Sequence, residues 1–279
     1  MCKECGCGLP GKKPVGISAH RHSHEHEHGH GHSHTHDHDH QDHDHGHSHE
    51  ADAGAHRTLE VRRAILDKND RLAERNRGFF HAHGLLVLNI LSSPGSGKTT
   101  FIRETIRLLG KKLKTGVIVG DLATDNDAER LRETGAPVVQ ITTGTVCHLE
   151  AEMVAHASEQ LDLKGLELLI IENVGNLVCP ASYDLGEDLR VVLLSVTEGE
   201  DKPLKYPPMF QSAGVAVISK IDLAKPCDYD RQTAMTNLRR LTPKAPVFET
   251  SAKTGQGMEA WCDFLVKQHQ KLKPKQKNR

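Results

Sequence analysis

The 279-residue sequence has no apolar run approaching the ~18–20 residues that a bilayer-crossing helix requires. Its first residues lack the apolar stretch of a secretory signal. Membrane insertion is therefore not expected, and a cytoplasmic location is. Charge of one sign is missing too: 36 Lys and Arg face 37 Asp and Glu, for a net charge of -1 with histidine neutral. No global field draws the chain to nucleic acid, and none is expected as a partner. Apolar residues are almost absent from the first 50 or so positions, which cannot build a core and are expected to be disordered. The remaining ~220 residues suit one α/β domain.

What fills the apolar-poor region is histidine. Between His20 and His49 nearly every second residue is histidine, and this tract holds 15 of the chain's 21. In an extended chain, residues two apart face the same way. Alternate imidazoles such as His24, His26, His28, His30, His32, His34, His36, His38 and His40 can therefore chelate together. Imidazole clusters suit nickel, copper and zinc. The tract has no rigid pocket, so storage or buffering fits it better than catalysis. Ahead of it stand Cys2, Cys5 and Cys7, three thiols within six residues with Gly6 as a spacer. They can converge on one soft or borderline ion.

Four segments follow. Residues 1–13 carry the cysteines, 14–56 the histidine-rich tract, 57–268 the folded domain and 269–279 a basic tail. Residues 57–77 show helical spacing of Leu59, Ala64, Ile65, Leu66, Leu72 and Ala73, ending near Gly78. Beyond, apolar strand candidates at 85–91, 117–120, 138–142, 167–171, 191–196, 215–219 and 247–250 alternate with helical stretches. The clearest helices are 99–113, 126–134, 147–161, 229–241 and 258–268. Near-continuous apolar strands separated by helices predict a three-layer α/β fold around a mostly parallel sheet. Ligands then bind at the carboxyl ends of its strands.

At the first such end stands Ser92-Ser93-Pro94-Gly95-Ser96-Gly97-Lys98-Thr99, a phosphate-binding loop between strand and helix. Gly95, Ser96 and Gly97 let backbone N–H groups wrap phosphates, Lys98 supplies a point charge, and the hydroxyls of Thr99 and Thr100 follow at the helix start. Ser92 stands where the motif usually has its first glycine. Asp121 closes the second strand, and Glu172 ends another, before Asn173-Val174-Gly175, where a Walker-B pattern has Asp. With Thr99, these acids are expected to surround Mg²⁺. Lys98, Thr99, Asp121 and Glu172 are the expected carriers of phosphoryl chemistry; no catalytic base is evident. Ser219-Lys220-Ile221-Asp222 and Ser251-Ala252-Lys253 resemble the Asn-Lys-x-Asp and Ser-Ala-Lys elements of GTPases. By that resemblance Asp222 accepts from guanine N1 and N2, the Lys220 stem covers the ring, and the Ala252 backbone reaches O6. Adenine offers no matching donors, so GTP is expected over ATP.

Cys147-His148, expected to begin a helix, and Cys179, just before Pro180, lie after strand ends on the nucleotide side. From the residues alone, buried structural cysteines are the better reading than metal ligands. Cys227 and Cys262 read as structural.

Taken together, Cys2-x-x-Cys5-Gly6-Cys7, the histidine tract, residues 93–100, Gly120-Asp121, Gly144-Thr145-Val146-Cys147-His148, residues 172–180 and Thr-Glu-Gly-Glu-Asp-Lys-Pro-Leu-Lys-Tyr at 197–206 resemble the HypB-type GTPases, the hydrogenase nickel-incorporation proteins. The resemblance covers essentially the whole chain. It implies a SIMIBI-like P-loop GTPase that hydrolyses GTP slowly, dimerises when GTP is bound, and delivers nickel to the [NiFe] hydrogenase large subunit precursor with a HypA-type metallochaperone as partner. It implies a high-affinity nickel site at Cys2, Cys5 and Cys7, and a nickel- or zinc-binding site from Cys147, His148 and Cys179 near a dimer interface. Two alternatives stay open: a metal-GTPase serving another metalloenzyme such as urease, and a nickel storage protein.

Overall fold

The computed structural model describes residues 50–122 and 125–272, with side chains from Glu60 onward. Cys2, Cys5, Cys7 and the histidines of the tract lie outside the described residues, as does the tail beyond Leu272.

Seven strands form one sheet, all parallel, in the order β3-β2-β4-β1-β5-β6-β7. They are β1 (Leu86–Leu91), β2 (Thr115–Asp121), β3 (Val138–Thr142), β4 (Leu168–Glu172), β5 (Leu189–Ser195), β6 (Val215–Ser219) and β7 (Val247–Glu249). The central strands are buried from end to end, as expected of a sheet covered on both faces. The helices are α1 (Glu50–Ala82), α2 (Lys98–Leu109), α3 (Asn126–Arg132), α4 (Ala151–Ser158), α5 (Lys202–Lys205), α6 (Pro207–Gln211), α7 (Arg231–Leu241) and α8 (Met258–Leu272).

Alternation along the strands divides the core. Leu86, Leu88 and Ile90 point to the layer holding α2, α3 and α8, where Trp261 is fully buried and donates Nε1–H to Thr105 Oγ1 at 3.1 Å. Val87 and Ile118 point the other way, to the layer holding Phe80 and Val154 of α1 and α4. A third cluster seats α6 and α7 under β5 and β6.

Two helix expectations are corrected. The first helix does not stop near Gly78 but runs to Ala82, because Phe80 is fully buried in the second layer. Burying such a side chain is worth about 1.5–3 kcal/mol, more than the ~1 kcal/mol cost of an interior glycine. The helix expected over 147–161 begins only at Ala151, leaving Cys147 and His148 in a turn ahead of it. Its start is fixed from outside: Asn69 of α1 accepts from the Ala151 N–H at 2.9 Å, and Asn76 Nδ2 donates to the Ala151 carbonyl at 2.8 Å. Strand boundaries move by no more than two residues, and α5 and α6 were not anticipated.

Candidate nucleotide and metal site

Every strand end that carries a motif opens onto one edge of the sheet. β1 feeds residues 92–97 into α2, and the turn relies on two glycines in the left-handed region, Gly95 at φ 74° and Gly97 at φ 95°. Lys98 folds back over the loop, its Nζ donating to Ser92 Oγ at 2.9 Å, while Ser96 Oγ also donates to Ser92 Oγ. The serine at the motif's first position thus acts as an internal acceptor that parks both groups. Burial pushes the Lys98 ammonium below its ordinary range, opposed by the nearby Glu172 carboxylate.

The loop forms one wall of a cleft of about 500 Å³, with Asp121, Asp127, Glu172 and Gly175 among the groups around it. Thr99 Oγ1 donates to Glu172 Oε1 at 2.7 Å. Glu172 is almost fully buried, and burial raises its carboxyl to about 7 against the opposing pull of Lys98 and the Thr99 bond. Its second oxygen, Oε2, is buried with no hydrogen-bond partner. A buried carboxylate oxygen facing a hydroxyl and a second acid suits a hard cation that takes oxygen ligands. Thr99, Glu172 and Asp121, whose Oδ1 accepts from the Leu122 N–H at 2.6 Å, therefore fit Mg²⁺.

Adjoining this cleft, a pocket of about 190 Å³ is lined by Gly97, Thr100, Lys220, Asp222, Ala252 and Lys253 together with neighbouring residues. Lys220 takes a left-handed conformation at φ 58° and donates Nζ–H to the Gly95 carbonyl at 2.6 Å, laying its stem beside the loop. Ser219 Oγ donates to the Ser96 carbonyl at 3.0 Å, so this serine does brace the loop in place of the usual asparagine. Ser251 Oγ donates to Asp222 Oδ1 at 2.6 Å, aiming the carboxylate into the pocket. Gly95, Lys98 and Thr99 line the cleft, Ser96, Asp222, Ala252 and Lys253 the pocket, and Gly97, Thr100 and Lys220 both, while Ser251 is buried behind Asp222.

Beyond the cleft, the segment leaving β4 runs from Glu172 to a single 3₁₀ turn at Cys179–Ser182. It crosses close to the turn before α4. Asn176 Nδ2 donates to the Cys147 carbonyl at 3.2 Å and Asn176 Oδ1 accepts from the Val178 N–H at 2.8 Å. Cys147 and Cys179 thereby meet, their sulfurs 3.0 Å apart, and His148 joins them with all three ligand atoms within 4.8 Å of one another. Among the described residues this is the one grouping of three such side chains. The His148 ring is buried against Tyr183, centroids 3.9 Å apart, with Nε2 3.5 Å from Glu150 Oε1. Two thiols and an imidazole are the ligands of borderline and soft metals, and three protein ligands leave a fourth position open. The cluster borders an apolar groove of about 210 Å³ between this turn and Ile65 and Leu66 of α1. Cys262, by contrast, sits in the core with its thiol pushed up to about 11 by burial, and Cys227 is exposed in a loop. Residues 197–206 form the turn after β5 and α5, where Lys202 reaches Glu198 at 3.5 Å.

Three side chains escaped the sequence reading. Asn89, fully buried in the middle of β1, accepts from Asn173 Nδ2 at 3.2 Å and donates to Glu187 Oε1 at 3.1 Å, and Arg190 closes on the same Glu187 oxygen. The available signal was the lone amide in the otherwise apolar Leu-Val-Leu-Asn-Ile-Leu, since a buried polar group requires partners.

Residues 86–249 match the family model for the CobW/HypB/UreG nucleotide-binding domain. The chain is similar to the hydrogenase maturation factor HypB of Azotobacter vinelandii, 51% identical over 212 residues that cover 76% of this chain and 70% of that one. It is 45% identical over 206 residues to the hydrogenase/urease maturation factor HypB of Helicobacter pylori, covering 72% of this chain and 84% of that one. Among solved structures, the HypB of Helicobacter pylori in complex with nickel superposes with a TM-score of 0.71 at 42% identity, covering 76% of this chain and all of the other.

Proposed function

The chain belongs to the CobW/HypB/UreG family, and within it to the HypB hydrogenase maturation factors, and from that membership we propose that it is the GTPase that inserts nickel into the large subunit precursor of a [NiFe] hydrogenase. A maturation GTPase role follows from the family; nickel as the cargo of this chain is our reading. The observation that carries it is the meeting of Cys147, His148 and Cys179 at the far end of the segment that begins at Glu172.

In this reading GTP lies along the cleft, its phosphates on the N–H groups of Gly95 to Thr99 and its base held by Asp222. Mg²⁺, held by Thr99, Asp121 and Glu172, supplies charge neutralisation for the phosphoryl oxygens. Lys98 leaves Ser92 for the phosphates. Slow hydrolysis is the reading that fits a cleft in which none of the described side chains stands out as a base. Nickel(II), or zinc(II), occupies the two thiolates and the imidazole. The open fourth position accepts a ligand from the donor, a HypA-type metallochaperone, or from the recipient. A GTP-favoured homodimer is what the family resemblance implies, and the apolar groove beside Cys179, with Val178 exposed at its rim, is the face it would use. Residues 14–56 store nickel, and Cys2, Cys5 and Cys7 hold one ion tightly.

The histidine tract supports storage as a second role, and the urease-serving relative supports delivery to more than one enzyme. The deciding experiment replaces Cys179 with Ala in the full chain and follows hydrogenase and urease activity in cells lacking the native protein. Loss of hydrogenase activity that excess nickel restores supports delivery. Full maturation with only metal tolerance impaired on deleting residues 14–56 assigns the chain to storage instead.

A further inference from the structure

The nucleotide cleft and the thiol pair are joined twice. One connection is the chain itself, residues 172–179. The other is a buried polar network that leaves the segment at Asn173 and returns at the turn bearing Cys179. Asn173 Nδ2 donates to Asn89 Oδ1 at 3.2 Å, and its own Oδ1 accepts from the Val174 N–H at 2.9 Å. Asn89 Nδ2 donates to Glu187 Oε1 at 3.1 Å. Arg190 Nε donates to that same oxygen at 2.9 Å, then sends Nη1 to the Ala181 carbonyl at 3.0 Å and Nη2 to the Tyr183 carbonyl at 2.8 Å. Ala181 lies within the 3₁₀ turn that Cys179 opens, Tyr183 follows its end, and the Tyr183 ring packs against His148. Glu187 Oε2 meanwhile accepts from the Leu185 N–H at 2.7 Å.

Each of these groups is buried or half-buried, so displacing one leaves another without its partner, at about 1–3 kcal/mol per orphaned group. Such a network has few intermediate arrangements. A shift of Asn173 toward an arriving γ-phosphate strips Asn89 Oδ1 of its donor, which reorients Glu187 and with it Arg190's hold on both carbonyls. We propose that Asn89, Glu187 and Arg190 are positioning residues that couple nucleoside triphosphate binding at Glu172–Gly175 to nickel affinity at Cys147, His148 and Cys179. The inference rests on the nickel-delivery reading above. It differs from transmission along the chain, which leaves Arg190 no part to play.

Coupling is reciprocal, so the nucleotide site reports it in the intact chain despite the histidine tract. The experiment measures dissociation constants for fluorescent GDP and a non-hydrolysable GTP analogue, with and without saturating nickel(II). The full chain, Cys179→Ala, Arg190→Met and Asn89→Ser are compared. Nickel is expected to change the ratio of the two constants by about fivefold or more in the parent chain, and not in Cys179→Ala. In Arg190→Met and Asn89→Ser the change falls to about twofold or less, while GDP affinity without nickel holds. A merely structural role moves the melting temperature and GDP affinity together, not the ratio. A parent chain whose ratio ignores nickel, or ignores Cys179, overturns the gated reading and the relay together. A parent that responds through Cys179 while either variant responds equally keeps the gated reading and overturns the relay. Should Arg190→Met fail to fold, Asn89→Ser decides alone.

Discussion

A Cβ built on Gly175 would lie 2.9 Å from Pro94 Cα and 3.0 Å from Pro94 N. The segment after Glu172 therefore leans backbone to backbone on the phosphate loop, at a spacing that real Cβ atoms do not tolerate. Gly175→Ala must part the two, at an overpacking cost of about 1–3 kcal/mol. GTP hydrolysis is expected to fall by about tenfold, ~1.4 kcal/mol in the barrier, while GDP binding changes less. Steady-state phosphate release together with GDP titration checks this; an unchanged kcat would mean that the contact plays no part in sensing the γ-phosphate.

Glu172 Oε2 is buried without a partner, and Oε1 is held by Thr99. Glu172→Gln keeps the shape and the Thr99 bond and removes the anion. Hydrolysis is expected to drop by ~10²-fold, the order lost when one preorganised electrostatic contact is removed. Raising magnesium should recover little of it. Recovery to the parent rate at ordinary magnesium would remove Glu172 from the metal's surroundings.

Ser251 holds the Asp222 carboxylate in the small pocket beside Lys220. Two adjacent carboxylate acceptors match the N1–H and N2–H₂ donors of guanine. Asp222→Asn replaces one acceptor with a donor, which suits xanthine, whose C2 bears a carbonyl. GTP affinity is expected to fall by about 10²-fold or more and XTP affinity to rise, since unpaired buried groups discriminate strongly. Competition titrations with both nucleotides read the switch, and an unaltered preference would place the base elsewhere.

Periodicity made the seven strands legible because each is a short apolar run that parallel pairing buries on both faces. The phosphate loop was legible because its chemistry is local: Gly95 and Gly97 sit two residues apart on one turn. The metal cluster was legible only through the family resemblance, which named Cys147, His148 and Cys179; residue spacing alone did not bring them together. Cys147 and Cys179 are 32 positions apart, and Asn176 spans the two turns that bring their sulfurs together. The late start of α4 was equally hidden, because its cap is Asn69 of a different helix. Asn89 stands alone as an amide in an apolar strand, yet its partner Glu187 lies just before β5 and Arg190, which closes on Glu187, lies in β5 itself, whose place beside β1 follows only from the sheet order.

Arg77 of α1 reaches both oxygens of Asp184, at 3.0 and 2.7 Å. Burial pulls the Asp184 carboxyl upward, but the Gly186 N–H and the Arg77 guanidinium outweigh it and hold it below its ordinary range. A folded-state pKa depressed in this way adds stability above the unfolded value of about 3.9 and loses it as pH falls through the folded value. The pair is about one-third exposed, so solvent screening limits its worth to roughly 1 kcal/mol. Arg77→Met should therefore destabilise the protein by about that amount at pH 7 and by less at a pH well below the unfolded value of about 3.9. Urea unfolding at both values measures the difference. The same ion pair holds α1, whose Ile65 and Leu66 wall the groove beside His148 and Cys179, so the variant should also loosen the metal cluster. A destabilisation of equal size at both pH values would assign Arg77's contribution to packing of its stem rather than to its charge.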